Sequence, residues 1–481
     1  MKKLETAWMT DRLFTMLLLC LAVLYVAPAQ AQEKGVRLVD YVNPFVGTDG
    51  YGNVYPGAQI PFGGIQISPD TDSHFYDAAS GYKYSHHTLL GFSLTHLSGT
   101  GIPDLGDFLF MPGTGTLHLE PGSHEHPESG YRSRYSHERE WATPNYYAVE
   151  LTDYGVKAEM TSGKRSGMFR FTYPQSDSAF ILIDMNHTLW QTCEWANLRM
   201  ENDSTLSGYK LVKGWGPERH VYFKAVFSKK FSDLLFMQAG KPVIYDTSRF
   251  RSRREAWGKG LMACIRFATT EREEVTVKVA ISSVSTDGAT GNLEELRGMD
   301  FDGLKAAGEQ LWEEELSRYT LTADLSTKQT FYTSAYHAAL HPFLFQDADG
   351  QFRGLDKNIE RADGFTNYTV FSLWDTYRAL HPWFNLVHQE LNADIANSML
   401  AHYDKSVEHM LPIWSFYGNE TWCMIGYHAV SVLADMIVKD IPGFDHERAY
   451  QAMRTTALNP HYDCLPEYDS LGYVPFDKEA E

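Results

Sequence analysis

Two hydrophobic periods divide this chain, and the change from one to the other limits the fold more than any other feature. From Val36 to about Thr286 apolar residues alternate: Met168-Phe-Arg-Phe-Thr-Tyr173 sets Phe169, Phe171 and Tyr173 on one face, and 220–227 and 275–281 follow the same rule. Successive side chains of a strand point to opposite faces, so alternation predicts strands with one face on a core. Gly and Pro clusters separate the runs and predict antiparallel strands joined by turns. So many strands in one stretch predict an N-terminal antiparallel β-sandwich over residues 36–286.

Beyond it the period becomes helical. Leu304 to Tyr319 reads as a helix within a helical linker, residues 287–325. Tyr332, Ala335, Tyr336, Ala339, Leu340 and Phe343 then recur at i, i+3, i+4. Val387, Leu391, Ile395, Met399, Tyr403, Val407 and Leu411 predict one long amphipathic helix, and Ile425 to Ile437 predict another. Residues 326–481 are therefore expected to hold about five helices in an α/α arrangement. A closed ring of helix pairs needs about twice as many, because an open array leaves apolar stripes unburied. The array is expected to be incomplete, with 472–481 as the start of a further helix.

The N-terminus reads as a secretory signal over residues 1–31. Lys2, Lys3 and Arg12 precede the apolar run Leu13–Val26, and Ala29-Gln-Ala31 forms a small-x-small cleavage site. The run is too short to span a bilayer, so no transmembrane segment is expected in the mature chain. Acylation at Cys20 is disfavoured, since Leu17-Leu-Leu19 lacks the small residue expected beside a lipidated cysteine. An exported protein, periplasmic or at the cell surface, is the expectation. The formal charge of −19 repels phosphate backbones and argues against nucleic acid as a partner. Cys193, Cys264, Cys423 and Cys464 are scattered and read as buried free thiols.

Several motifs exclude chemistry. Gly47 to Gly64 is glycine-rich but lacks lysine, so it cradles no phosphate. His337 and His341 have zinc-ligand spacing without the glutamate of a zinc protease, and read as core or capping histidines. His124-Glu-His126 reads as a solvated loop, and Asp347-Ala-Asp-Gly350 as a tight turn rather than a calcium loop. What remains joins aromatic rings to carboxylates, in a chain with 28 Tyr and 11 Trp. Such rings stack on pyranose faces while carboxylates take sugar hydroxyls. Trp374-Asp375, one helical turn before Arg378, is suited to that task, and equally to a buried Asp375–Arg378 pair bracing helices. Glu420 beside Trp422 is a second candidate, against a helix cap at Asn419 or Thr421. His96, central in Ser93–Gly101, is placed to project into a site between domains.

Taken in order, five segments resemble glycoside hydrolase family 92, the bacterial exo-acting α-mannosidases: Val42-Asn-Pro-Phe-Val-Gly-Thr48, Gly57-Ala-Gln-Ile-Pro-Phe-Gly63, Gly91–Gly101, Phe371–Arg378 and Gly418–Gly426. The resemblance implies a sandwich followed by an (α/α)6 toroid with the active site between them. It further implies calcium-dependent hydrolysis of terminal α-mannosides of N-glycans or mannan, with inversion by a carboxylic acid and a second, water-activating carboxylate. By that resemblance Asp375 binds the terminal mannose with Trp374 beside it, and His96 and Glu420 lie in family motifs. The acid glutamate, in a Glu-Gly-Asn-Ala-Trp-like motif, and the Asp-rich segment of the base are not found, and are expected beyond Glu481 with most calcium ligands. Two other readings stand beside this one, a non-catalytic mannoside-binding fragment and, less favoured, a sandwich-plus-toroid phosphorylase.

Overall fold

The computed structural model describes residues 35–73, 76–243 and 254–476. The leader reading over 1–31, Cys20 and the last five residues lie outside them. Two antiparallel sheets form the first part. One has seven strands, in spatial order Ser68–Asp70, Gly91–Ser93, Leu109–Gly113, Ser176–Asp184, Leu261–Thr269, Asp233–Gln238 and Lys241–Pro242. The other has nine: Glu255–Gly258, Thr192–Asn202, Thr205–Lys213, Arg219–Phe227, Glu273–Ser282, Ser166–Tyr173, Val156–Ser162, Tyr146–Leu151 and Glu140–Thr143.

Register follows from the alternation. Phe169 lies opposite both Val277 and Met160, and all three are fully buried. Rings from the two sheets meet in the core, Phe110 against Phe169 at 5.1 Å and Phe108 against Phe223 at 4.5 Å. Each fully buried phenylalanine contributes about 2 kcal/mol by leaving water. The sequence therefore folds its first part as a β-sandwich, as its period dictates.

Nine α-helices follow among the described residues: α1 (Thr286–Leu293), α2 (Phe301–Leu316), α3 (Leu325–Ala338), α4 (Leu373–Thr376), α5 (Leu380–Val387), α6 (Gln389–Lys405), α7 (His428–Val438), α8 (His446–Ala457) and α9 (Leu465–Leu471). Seven of them lie past the linker, where periodicity predicts five. The difference is α4 and α9, whose four and seven residues are too short to display a repeating stripe. The stripe from Val387 to Leu411 is not one helix. The chain leaves helical geometry at His388, resumes as α6, and is extended at Ser406. Val407 is consequently 89% exposed although it continues the four-residue spacing.

Four of the nine helix starts carry side-chain caps. Ser285, Asp300, Asp324 and Asp445 accept hydrogen bonds from the backbone N–H of Gly288, Gly303, Thr327 and Arg448. Helix α2 lies close against the nine-stranded sheet at Gly308, where a Cβ would fall 1.6 Å from Asn145 Nδ2.

Two conspicuous motifs make the seam between the parts. The turn Leu38–Tyr41 packs its Val39, with Val42, against Trp312, Leu316, Tyr332 and Tyr336 of α2 and α3. In Gly57–Gly63, Gln59 O accepts from Trp312 Nε1 at 2.7 Å, and the Gln59 amide donates to Leu340 O at 2.8 Å. Gly57 permits this path, since a Cβ there would meet Ile67 O at 2.3 Å.

Candidate functional site

Asp375 sits on α4, a single turn whose first residues are set by the loop before it. Ser372 Oγ donates to Asp375 Oδ2 at 2.5 Å. The Trp414 indole N–H donates to Ser372 Oγ at 3.1 Å. Asp375 is exposed while Trp414 is buried, so a surface carboxylate is aimed by a core tryptophan. The alternative of a buried Asp375–Arg378 pair is not seen: Arg378 donates through Nε to Trp374 O at 3.3 Å, and its guanidinium lies 5.1 Å from the Trp374 ring and 4.9 Å from Tyr377. The cation thus holds rings and leaves the acid to face outward.

Glu420 is tied to the same tryptophan. Its Oε1 accepts from the backbone N–H of Trp414 and of Trp422, each at 2.9 Å, and its Oε2 from Ile413 N–H at 3.0 Å. His402 Nε2 approaches Oε2 at 3.3 Å. Burial disfavours the charged carboxylate, yet His402 and these amides hold the acid below the ordinary glutamate value. The helix-cap reading of Asn419-Glu420-Thr421 is overturned, since α7 begins only at His428. Asn419 instead joins the parts: its Oδ1 accepts from Glu218 N–H of the sandwich at 3.3 Å and from Lys357 Nζ at 2.6 Å, and its amide donates to Phe416 O and Tyr417 O.

Cys423 lies beside both acids. Burial pushes its thiol upward, and the Asp375 and Glu420 carboxylates add to that. Trp414 and Cys423 therefore bring the two sequence-marked carboxylates into one neighbourhood, one exposed and one locked. Cys193 and Cys264 are buried thiols as expected, whereas Cys423 and Cys464 are only half-buried.

The sandwich closes on this neighbourhood. Trp215 packs against Trp414 with ring centroids 4.3 Å apart and planes inclined at 59°, and Trp215 N–H donates to Asp104 at 3.1 Å. Leu97, from Ser93–Gly101, packs with Trp414, Phe416 and Tyr417. His96 of the same loop does not reach an open surface. It is 0% exposed, with Nδ1 2.9 Å from Gln66 O and Nε2 2.8 Å from Asp70 Oδ1. Asp70 also takes His187 Nε2 at 2.7 Å. Burial opposes the Asp70 charge, and the two imidazoles outweigh it, holding this carboxyl well below its usual range.

Ser372, Trp414, His402 and Trp215 were not singled out by sequence. Their roles depend on contacts across 42 residues, as between Trp414 and Ser372, or on ring contacts between the parts. Only the aromatic density around Trp414 hinted at them.

His337 and His341 are half-buried, and desolvation lowers both to about 4, so they are neutral. Asp347–Gly350 forms the expected turn, with Gly350 N–H donating to Asp347 O at 2.9 Å. The loop is solvated at Glu125 and His126 as expected, whereas His124 is half-buried: its Nε2 lies 3.1 Å from Asp72 Oδ2 and its Nδ1 2.9 Å from Thr88 Oγ1. Asp72, His86 and His124 are the one group among the described residues whose donor atoms converge as metal ligands do. Two imidazoles and one carboxylate do not match calcium, which takes six to eight oxygens, so no calcium step is built on them. No helix among the described residues is long and apolar enough to cross a membrane.

Comparison with known proteins agrees with this architecture. The profile of the glycosyl hydrolase family 92 N-terminal domain matches residues 41–282, and that of the family 92 catalytic domain matches 288–481. The family 92 α-mannosidase BT3965 from Bacteroides thetaiotaomicron, solved with mannoimidazole, is 81% identical with a TM-score of 0.91, over 92% of this chain and 58% of that one. The inverting mannosidase BT2199 from Bacteroides thetaiotaomicron VPI-5482 is 25% identical with a TM-score of 0.80, over 92% and 59%. An uncharacterized secreted glycosidase from Arthroderma benhamiae is 24% identical, over 95% of this chain and 58% of that protein. The chain thus spans under two thirds of the length of these relatives. With both domain profiles matched in order, the chain belongs to glycosyl hydrolase family 92.

Proposed function

We propose that this chain carries the mannose-recognising part of an exported exo-α-mannosidase, whose whole form hydrolyses terminal α-mannosides of N-glycans or mannan with inversion. The observation that carries the reading is the Trp414–Ser372–Asp375 chain of hydrogen bonds, which presents one exposed carboxylate beside Trp374 at the seam of the two parts. An exposed, oriented carboxylate accepts hydrogen bonds from two adjacent sugar hydroxyls, and an indole beside it covers an apolar sugar face. The mannoimidazole complex of the 81% identical relative supports a mannose-shaped ligand. Glu420 acts by fixing the Ile413–Trp422 loop, because its oxygens are already committed to amides and His402. His96 acts by fixing Asp70 under the sandwich loop.

Closure of the helices into an (α/α)6 toroid, calcium dependence and a periplasmic or cell-surface address belong to the same proposal. So does catalytic silence of the 481-residue chain, whose sequence lacks the family's acid and base motifs. The test is calorimetric titration of the chain with mannoimidazole, run beside an assay for mannose release from α-mannosides. Saturable binding that Asp375→Ala abolishes, without mannose release, is the expected result. Unchanged binding by Asp375→Ala would overturn the assignment of the site, and mannose release would overturn catalytic silence.

A further inference from the structure

We propose that Asp72, His86 and His124 form a site on the sandwich for one divalent ion of the zinc type. Their donor atoms lie within 4.8 Å of one another. They come from three places in the chain: Asp72 follows strand Ser68–Asp70, His86 precedes strand Thr88–Leu89, and His124 lies in the loop before the turn Pro127–Ser129. Asp72 is buried and the two histidines are half-buried, so the group is partly enclosed with one side open to solvent.

The surrounding contacts are those a metal-binding imidazole requires. A ligating histidine has its second ring nitrogen held by a neighbour, which fixes ring and tautomer. His86 Nδ1 lies 3.0 Å from Thr71 Oγ1, and His124 Nδ1 lies 2.9 Å from Thr88 Oγ1. Both threonines are buried, at 0% and 5% exposure, so these holds are fixed from beneath. The remaining nitrogen of His124, Nε2, faces Asp72 Oδ2 at 3.1 Å, and the two imidazole rings have centroids 4.2 Å apart. Asp72 Oδ1 is set by Ser73 N–H at 2.6 Å. Nε2 of His124 and Oδ2 of Asp72 are thus ligand atoms, with one ring nitrogen of His86 as the third. Zinc bonds of about 2.1 Å place tetrahedral ligands about 3.4 Å apart, so the set closes modestly on the ion, with solvent as fourth ligand.

The donor chemistry chooses the ion. Two nitrogens and one oxygen suit zinc, and they suit nickel and copper, whereas calcium and magnesium need oxygen cages. Arg132 sets the strength. Its Nη1 donates to Thr71 O at 2.7 Å and Thr88 Oγ1 at 3.0 Å, which uses both its hydrogens, and it lies 3.2 Å from His124 Nδ1 and 3.4 Å from the ligand atom His124 Nε2. A cation there opposes a dication, so the affinity is lower than the same three ligands would give without Arg132. The bound ion would fasten the segments after Asp70 and before Pro127 to the edge of the strands, beside the Asp70–His96–His187 group.

Titration of the whole chain with zinc chloride, followed by calorimetry, tests this. One equivalent is expected to bind, at least tenfold more weakly in His124→Ala and in Asp72→Asn, while calcium chloride gives no signal that these variants alter. Zinc-edge anomalous scattering from soaked crystals should place one peak among the three side chains. Equal zinc affinity and stoichiometry in folded His124→Ala would overturn the site, as would calcium binding that His124→Ala removes. Should His124→Ala fail to fold, His124→Gln keeps the side-chain volume and carries the same expectation. Asp375→Ala leaves zinc binding unchanged, so the metal site and the mannoside site fail or stand separately.

Discussion

Charge at single residues is managed here by giving each buried acid a fixed set of donors. Glu420 is the clearest case. Its carboxyl is held below the ordinary value, so its contribution to stability is present above the unfolded value, about 4.3, and is lost as pH falls through the lower folded value. Glu420→Gln retains the shape and removes the charge, and about 2 kcal/mol of stability is expected to disappear at neutral pH. Urea unfolding at pH 7 and pH 3 checks this, since the gap between the two proteins should shrink at the lower pH. His96→Ala leaves Asp70 buried with only His187 among its imidazoles. A loss of about 3 kcal/mol is expected, the lower end for breaking a buried pair. If His96 instead touched sugar, mannoside affinity would fall more than stability does. Asp375 was legible as a residue from its sequence neighbours; its exposure and its aiming by Trp414 were not.

Elements show where periodic reading succeeds and where it fails. Strand alternation over 166–173, 219–227 and 273–282 gave both the strands and their buried faces. The run from Val387 to Leu411 failed because a spacing of four persists by coincidence across a break at His388 and an extended Ser406. Caps act locally, as Asp445 at the start of α8 illustrates. Asp445→Ala is expected to cost about 1 kcal/mol, because Arg448 N–H loses its acceptor. Hydrogen exchange at the first amides of α8 should then quicken roughly fivefold, with the sandwich amides unchanged.

At the scale of the whole molecule the two parts meet through a buried charge group. Arg219, fully enclosed, bonds Asp107, lies 3.7 Å from Asp104, and sits 5.9 Å from the Tyr417 ring of the helical part. Burial pushes Asp104 up to about 6, against the pull of Arg219. Such a raised acid favours the folded state below about pH 3.9 and gives up that contribution as pH rises through about 6. Arg219→Met leaves Asp107 with Lys210 as its one cation beside the Thr95 hydroxyl, and a loss of about 3–5 kcal/mol is expected. Adding Asp107→Asn should recover part of it, and a thermal unfolding cycle over the four proteins measures the coupling.

The sequence by itself determined the β-then-α order, the buried strand faces and the family motifs. Each of these depends on neighbours a few residues apart, where period and propensity act. Tertiary structure alone decided that Trp414 aims Asp375, that Glu420 braces a loop instead of capping a helix, that His96 is enclosed, and that His124 meets Asp72 across 52 residues. Those outcomes depend on which distant surfaces share one core. No local pattern carries that information, because the contact forms only after both sheets and the helices are in place.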